Sequence, residues 1–308
     1  MATKCSIPVI NLHDFPNQSS KLIAACEEWG CFRLLNHHEV LPATLMSEMK
    51  AVVKSLFDSP VEIKRRNVDV IPGSGYMPAP TTTNPFHETL GFYDMTSRRE
   101  LDNFCSQLDA SPHQRETIIR YTEAVHELFV EIGKKLAEGL GVKTDNIGIE
   151  NWSYLFKMNK YHFTHESVGL PGINTHTDSG FLTILQDDEA VCGLEVMNKS
   201  GDFISIDPWP DTLLVNIGDM ATVWSNGRFH NVKHRVQCKE TKIRVSIVSF
   251  LLGPRGVVEP LPELVDDEHP RRYNPTSFED YRKLRFATKL HAGEALEQLL
   301  YTPSSDKK

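Results

Sequence analysis

The spacing of apolar residues along the chain changes near residue 150. Before that point most apolar residues recur at helical spacing, and after it short apolar runs alternate with turn residues. The first pattern predicts helices, and the second predicts several short antiparallel strands. We therefore expect a mostly helical N-terminal region over residues 1–150 and a strand-rich core with a C-terminal tail over residues 151–308.

The clearest helix is predicted over residues 112–140. Ser111 and Gln114 form a capping box, with Pro112 at the first helical position, and Gly141 is a suitable stop. The apolar stripe of this helix, which predicts packing against a core, consists of Ile118, Val125, Leu128, Phe129, Ile132, Leu136 and Leu140.

Shorter elements are predicted before this helix. "IPVINL" and "CFRLLNH" have the pattern of strands, "SSKLIAACEEWG" predicts a helix that ends at Gly30, and residues 45–57 predict another helix. Residues 71–85 are rich in Pro, Gly and Thr, which predicts a long ordered loop or lid.

The second half of the chain predicts a β-sandwich or barrel. Its short apolar runs include "FLTILQ", "GLEVM", "FISID", "TLLVNIG", "NVKHRV" and "RVSIVSFLL". Helical patterns return at "SFEDYRKLR" and "GEALEQLL". The expected fold class is α+β: a double-stranded β-helix (jelly-roll) core, an N-terminal helical region that includes the long helix, and a C-terminal helical tail.

Charge and composition exclude several classes of function. The 308 residues carry a formal net charge of −8 and no long basic block, so neither nucleic acid nor an anionic membrane is an expected partner. We find no signal peptide and no apolar run of roughly 20 residues. The six cysteines are scattered, which favours reduced thiols and a cytoplasmic location. The sequence does not indicate the oligomeric state.

One group of residues suggests metal chemistry. "INTHTDSGFLTILQDD" places His176 and Asp178 two residues apart at the head of an apolar run that we expect to be one strand, so both side chains would share a face. His234 follows in "NVKHRV". Two histidines and one carboxylate are the ligands of the facial triad that holds non-haem Fe(II) and leaves positions open. A His-x-acid pair alone is weak evidence, because His37 and Glu39 have the same spacing, but no third ligand is evident for them.

A nearby arginine predicts an anionic ligand. Arg244 and Ser246 lie two apart in the apolar strand "IRVSIV". A guanidinium buried there requires an anionic partner, and a small carboxylate held by Arg244 and the Ser246 hydroxyl would supply one. The alternative for Arg244 is an internal pair with an aspartate or glutamate. The order of Arg244 after the three candidate ligands favours the ligand-binding interpretation.

These motifs resemble those of the plant 2-oxoglutarate- and Fe(II)-dependent dioxygenases. The family order H-x-D…H…R-x-S is matched by His176, Asp178, His234, Arg244 and Ser246, and "IPVINL", "ACEEWGCFRLLNH" and "GLPGINTHTDSG" are also similar, so the resemblance covers nearly the whole chain. It implies that the first three residues bind iron and catalyse, while Arg244 and Ser246 hold the far carboxylate of 2-oxoglutarate.

The resemblance implies further cofactor contacts and a substrate. "NKYHF" is similar to the family's N-Y-Y-P element, which implies that Asn159 and Tyr161 bind the co-substrate, although Lys160 and His162 depart from the pattern. Tyr161 has the alternative role of filling the barrel mouth. "NPFHETLGFYDM" and "IGDMATVWSNGR" resemble the auxin-oxidising members, which convert indole-3-acetic acid to 2-oxindole-3-acetic acid. Fe(II), 2-oxoglutarate, O2 and ascorbate as reductant are the implied cofactors and reactants.

Four aromatic residues are the expected substrate contacts. Tyr76 and Phe86, in or beside the predicted loop, and Phe163 and Trp224 are candidate walls around an aromatic substrate, although each also suits core packing.

Three alternative functions remain open: the same catalyst acting on a gibberellin or a phenolic, a non-catalytic jelly-roll protein that binds a small acid, and an iron oxidase that uses no 2-oxo acid.

Overall fold

The computed structural model describes residues 7–15, 17–79, 86–143 and 148–302. Its helices are α1 (Ser19–Glu28), α2 (Ala43–Phe57), α3 (Val61–Lys64), α4 (Arg98–Gln107), α5 (Pro112–Gly139), α6 (Asp219–Trp224) and α7 (Phe278–Thr288). Its strands are β1 (Val9–Asn11), β2 (Cys31–Leu35), β3 (His87–Tyr93), β4 (Ser153–His162), β5 (Pro171–His176), β6 (Leu182–Gln186), β7 (Leu194–Met197), β8 (Phe203–Ser205), β9 (Leu213–Ile217), β10 (His234–Gln237), β11 (Ile243–Gly253), β12 (Val257–Val258) and β13 (Thr276–Ser277).

Two sheets form the core of the molecule. The larger has the order β1-β2-β9-β6-β11-β4-β3 and the smaller β5-β10-β7-β8. The pair β1–β2 is parallel, and the other pairings within these sheets are antiparallel. Strands of both sheets line one internal cavity. The predicted jelly-roll core is confirmed.

The long helix α5 begins as the sequence predicts. The Ser111 hydroxyl accepts a hydrogen bond from the Gln114 amide at 3.2 Å, and the Gln114 side chain accepts one from the Ser111 amide at 2.7 Å. The helix buries the predicted apolar stripe, from Ile118 to Leu136, in the same core as the large sheet. The Tyr121 hydroxyl also donates to Gln186 of β6 at 2.9 Å, so this helix is tied to the sheet that carries the site.

The N-terminal part contributes more strand than its pattern suggests. β3 was not predicted, because six of its seven residues are buried and the sequence lacks the alternation of a half-exposed strand. β1, β2 and β3 all join the large sheet. The division into residues 1–150 and 151–308 stays a prediction about organisation, and strands from both parts share this sheet.

The expectation of one strand running through His176 and Asp178 is wrong. β5 ends at His176, and the apolar run that follows forms β6 in the other sheet. Two glycines make the turn between them compact. A Cβ on Gly180 would lie 2.7 Å from the carbonyl oxygen of Leu251, and a Cβ on Gly218 would collide with the carbonyl of Gly180.

The loop that begins at residue 71 and helix α7 of the C-terminal tail line the same cavity. Residues 71–79 of the predicted loop are irregular, as expected, and residues 80–85 lie outside the described residues. Helix α7 confirms the prediction for "SFEDYRKLR", and Glu294–Leu299 forms a 3-10 helix. Within the described ranges, no helix combines the length and apolarity that crossing a bilayer would need.

Candidate metal centre and its two cavities

His176, Asp178 and His234 converge at one point between the two sheets. One ligand atom from each lies within 4.8 Å of the others. β5 and β10 bring the histidines together, since His176 and His234 are register partners, and the turn after β5 brings in Asp178. Asp178 Oδ1 lies 3.9 Å from His176 Nε2 and 3.7 Å from His234 Nε2. The three side chains thus surround a space of the size of one cation.

Hydrogen bonds on the far side of each ligand fix its orientation. His176 Nδ1 donates to the Asn174 carbonyl at 2.8 Å, and His234 Nδ1 donates to the Val232 carbonyl at 3.1 Å. Each histidine therefore directs the lone pair of Nε2 toward the shared point. Asp178 Oδ2 accepts from Thr183 Oγ1 at 2.7 Å, which leaves Oδ1 for the same point.

The electrostatics of the cluster favour the protonation states that a cation requires. Burial, followed by the neighbouring His234, lowers the pKa of His176 to about 4, so its imidazole is neutral near pH 7. Burial acts to raise the pKa of Asp178, but His234, His176 and the Thr183 hydroxyl outweigh it and hold that pKa below its ordinary value. Two imidazoles with a carboxylate, and no thiolate among the converging side chains, suit Fe(II) with open coordination positions.

Arg244 lies deep in a cavity of about 170 Å³ that the three converging side chains also line. The guanidinium is 1% exposed, and its Nη2 donates to Asp187. The internal Arg–Asp pair considered from the sequence therefore exists, but it is incomplete. Nε and Nη1 of Arg244 are buried and have no hydrogen-bond partner among the described residues. Two unsatisfied donors on a buried cation are costly without an anion, so this end of the cavity fits a carboxylate.

Asn159, Tyr161 and Ser246 lie around Arg244, as the resemblance implies. On adjacent strands, Arg244 pairs with Tyr161 and Ser246 pairs with Asn159. The Arg244 guanidinium stands 4.9 Å from the centre of the Tyr161 ring, and Asn159 Nδ2 donates to Ser246 Oγ at 3.4 Å. All four side chains line the 170 Å³ cavity.

His87 is a further residue of this cavity that the sequence did not reveal. Its ring stacks on Tyr161 with centroids 4.6 Å apart, and its Nε2 lies 2.9 Å from Asn159 Oδ1. Burial lowers the pKa of His87 to about 3, so the ring is neutral. The strand pairing of His87 with Tyr161 could not be foreseen without β3.

A second cavity, of about 480 Å³, is also lined by His176 and Asp178, and it shares Lys157 and Phe250 with the first. Its walls come from the loop at residues 71–73, from β4 and β11, and from one face of α7. The apolar residues on these walls are Ile71, Leu155, Phe250, Leu252, Phe278 and Phe286. The same cavity contains the side chains of Lys157, Arg282 and Arg285. Strand alternation from Asn159 and from Ser246 could have indicated Lys157 and Phe250.

The four predicted substrate contacts lie elsewhere. Tyr76 donates its hydroxyl to Glu88 at 2.9 Å, and Trp224 packs against Phe181 in the main core. Phe163 belongs to a smaller core cluster that includes Tyr161, and Phe86 packs against this cluster. None of these four lines either of the two cavities beside the three converging side chains.

The competing pair His37 and Glu39 does not form a site in the described part of the chain. His37 is buried, with its Nδ1 directed at the Leu41 carbonyl, whereas the Glu39 side chain is 82% exposed and faces His13. The two side chains point into different environments. His176 and Asp178 thus form a cluster with a third possible ligand, whereas His37 and Glu39 do not. The sequence alone could not distinguish the two His-x-acid motifs in this way.

Comparison with known proteins agrees with this arrangement. Residues 152–253 match the model of the 2OG-Fe(II) oxygenase superfamily, and residues 7–117 match the model of the non-haem dioxygenase in morphine synthesis N-terminal family. The 2-oxoglutarate-dependent dioxygenase DAO of Oryza sativa is 49% identical over 284 residues, which cover 92% of this chain and 93% of the rice protein.

Solved structures show the same likeness. The crystal structure of the rice dioxygenase for auxin oxidation superimposes with a TM-score of 0.89 at 46% identity, covering 96% of this chain and all of that one. The dioxygenase for auxin oxidation 1 of Arabidopsis thaliana, in a binary complex with 2-oxoglutarate, gives a TM-score of 0.82 at 52% identity and covers 86% of this chain and all of that one.

Proposed function

The chain belongs to the 2OG-Fe(II) oxygenase superfamily, and we propose that it oxidises indole-3-acetic acid to 2-oxindole-3-acetic acid. Its cofactor is Fe(II) and its co-substrate is 2-oxoglutarate. In this reaction one atom of O2 enters the indole-3-acetic acid, while the other enters the succinate that forms from 2-oxoglutarate with loss of CO2. Ascorbate is the expected reductant for the iron.

One observation carries the catalytic class. The guanidinium of Arg244 has two nitrogens without hydrogen-bond partners among the described residues, and it lines the same cavity as the three converging side chains that could bind a metal. We assign His176, Asp178 and His234 to the iron and Arg244 with Ser246 to the far carboxylate of 2-oxoglutarate. Asn159 and Tyr161 border the space between these two groups. A binder of a small acid would need the arginine but not the three ligands.

The chain's own residues have three tasks in this proposal. Bound Fe(II) supplies the activation of O2. The hydrogen bonds from His176 and His234 to backbone carbonyls would leave both Nε2 atoms free to hold Fe(II). Arg244 orients the co-substrate from the far end, and the apolar walls of the 480 Å³ cavity exclude water around the substrate.

The choice of auxin as substrate rests on the named relatives and on the second cavity. The rice and Arabidopsis proteins similar to this chain are dioxygenases for auxin oxidation. The 480 Å³ cavity beside His176 and Asp178 offers aromatic walls together with cationic side chains. These walls suit an aromatic ring that carries a carboxylate.

The test is turnover by purified protein. Fe(II), ascorbate, 2-oxoglutarate and indole-3-acetic acid are combined in air, and mass spectrometry follows succinate and a product one oxygen heavier than the substrate. A gibberellin and a phenolic are assayed in parallel. Succinate release coupled to one of these, and not to indole-3-acetic acid, would overturn the auxin assignment and keep the class.

A variant tests the metal assignment. His234→Ala should abolish turnover and reduce the iron bound per chain, measured by metal analysis, while the circular dichroism spectrum stays unchanged. His269→Ala, at an exposed histidine paired with Asp266, is the control. Full activity of His234→Ala would show that the third ligand is wrongly assigned.

We also propose a cytoplasmic location. Cys26, Cys105, Cys192 and Cys238 carry free thiols, which suits a reducing compartment.

A further inference from the structure

The cations that line the 480 Å³ cavity differ in their partners. Arg282 is held by Glu279 through two hydrogen bonds of 3.1 and 2.9 Å, and Arg285 is held by Asp219. The Lys157 side chain lines the cavity without an ion pair within 4 Å or a side-chain hydrogen bond to another described residue, and Asp69 acts on it only as a nearby charge. A partly buried ammonium without a partner is unfavourable unless an anion reaches it.

The position of Lys157 separates it from the co-substrate carboxylate at Arg244. Leu155, Lys157, Asn159 and Tyr161 alternate along β4 and line the two cavities. Tyr161 is the register partner of Arg244, and Lys157 lies four residues farther along the strand. At about 3.3 Å per residue, the two positions are roughly 13 Å apart. Lys157 also lines the 170 Å³ cavity, but this separation along β4 keeps it away from the carboxylate at Arg244, so the two cations serve different anions.

Asp69 is the nearby carboxylate that could neutralise Lys157, but it is engaged elsewhere. Its two oxygens accept hydrogen bonds from the amides of Gly73 and Gly75 at 2.9 and 2.6 Å, which shapes the loop at the cavity mouth. Burial lowers the pKa of Lys157 to about 8, and the charge of Asp69 only partly opposes this. The ammonium is thus still protonated at pH 7 and is left without a counter-ion in contact.

We propose that Lys157 binds the carboxylate of the substrate and thereby holds the indole ring against Leu155 and Phe250. This assignment rests on the proposed oxidation of indole-3-acetic acid and names the residue that selects for its acid group. The apolar residues of β4, β11 and α7 contact the ring, while the ammonium supplies the charge-assisted hydrogen bond that a neutral analogue cannot accept equally well.

A comparison of two substrates and four proteins tests this role. The substrates are indole-3-acetic acid and its neutral amide, indole-3-acetamide. The proteins are wild type, Lys157→Met, Lys157→Arg and the control Lys160→Met. Lys160 lies on the opposite face of the same strand, where its ammonium pairs with Asp58 at 2.9 Å. Measured quantities are kcat/KM for both compounds, KM for 2-oxoglutarate, and the Kd of the acid for anaerobic enzyme loaded with Fe(II) and 2-oxoglutarate.

Lys157→Met should lower kcat/KM for the acid and raise its Kd by roughly thirty-fold or more, as expected when one partner of a buried charge pair is removed. Its kcat/KM for the amide and its KM for 2-oxoglutarate should stay within about threefold of wild type. Lys157→Arg should recover most of the preference for the acid, and Lys160→Met should match wild type.

Two other results would overturn the assignment. Equal losses for acid and amide would mean that Lys157 only shapes the cavity, and a raised KM for 2-oxoglutarate alone would assign it to the co-substrate. In both cases wild type still oxidises indole-3-acetic acid, so the proposed function survives. If wild type neither binds nor oxidises that acid, both proposals fail together.

Discussion

Arg285 and Arg244 are both buried and both paired with an aspartate, yet their surroundings differ. Arg285, on α7, also donates to the Thr177 hydroxyl at 3.0 Å and to the carbonyls of Thr177 and His291 at 2.9 and 2.6 Å. Its partner Asp219 accepts a further hydrogen bond from Tyr281 at 2.7 Å. No fully buried nitrogen of Arg285 lacks a partner in the described ranges.

Arg244 has one ion pair, with Asp187, and lies 4.9 Å from the centre of the Tyr161 ring, but two of its nitrogens have no hydrogen-bond partner among the described residues. The comparison teaches that burial of an arginine does not identify its role, whereas the completeness of its hydrogen bonds does. A complete set makes Arg285 a structural residue that fixes the turn between His176 and Asp178. An incomplete set is what we expect of a ligand-binding residue, the role proposed for Arg244. Lys157, which has no protein partner in contact, is a third case in this comparison of cations.

Replacing Arg285 should give the largest loss of stability. Arg285→Met leaves the Asp219 carboxylate and the carbonyls of Thr177 and His291 buried without their donor. We expect a loss of about 3–5 kcal/mol in the free energy of unfolding, measured with urea. Arg282→Met, one turn earlier on α7, breaks a more exposed pair with Glu279 and should cost less than about 1 kcal/mol. Similar losses for both variants would remove the distinction.

Replacing Arg244 should affect ligand binding more than folding. Arg244→Met should weaken 2-oxoglutarate binding by about 2–4 kcal/mol, while its unfolding free energy falls clearly less than that of Arg285→Met. Calorimetric titration of anaerobic, Fe(II)-loaded protein measures the first quantity and urea the second. Arg235→Met, which removes a more exposed pair with Glu195, is the control. An unchanged affinity for 2-oxoglutarate would contradict the role of the two free donors.

The sequence predicted which residues converge at the candidate metal centre better than it predicted how they are held in place. His176 and Asp178 are two residues apart, and so are Arg244 and Ser246, so each pair is a local signal, whereas His234 was found by its order in the family motif. The capping box of α5 is equally local. Short-range signals of this kind can be read from the sequence because they depend only on neighbouring residues.

What remained hidden depends on contacts between distant parts of the chain. Asp187 pairs with Arg244, and Asp219 pairs with Arg285. The sequence around either aspartate does not indicate which arginine it will pair with. The aromatic candidates were uncertain because aromatic rings serve a core as readily as a pocket, and Tyr76 and Trp224 indeed lie in packed surroundings. The turn at Asp178 requires the close approach of Gly180 and Gly218, which are far apart in sequence.

Removal of Lys157 should stabilise the protein that has no substrate bound. The lowered pKa of Lys157 means that the folded state binds a proton less tightly than the unfolded state, so the ammonium destabilises the fold below about pH 8. Lys157→Met should therefore raise the unfolding free energy by about 1–3 kcal/mol at pH 7, and this gain should shrink as the pH rises from 8 toward 10.5. A destabilised Lys157→Met would show that the ammonium has a structural partner.

The smallest expected effect is a pH dependence that distinguishes Lys157 from both arginines. The acid substrate needs the protonated ammonium, so kcat/KM for indole-3-acetic acid should fall about fivefold between pH 8 and pH 9. Lys157→Arg should abolish this fall, because a guanidinium keeps its proton, and the neutral amide should not show it in wild type. His87, whose pKa lies at about 3, stays neutral over this range. A fall of equal size for the acid and the amide would assign the titration to another group. Lys157 would then not be the residue that binds the substrate carboxylate.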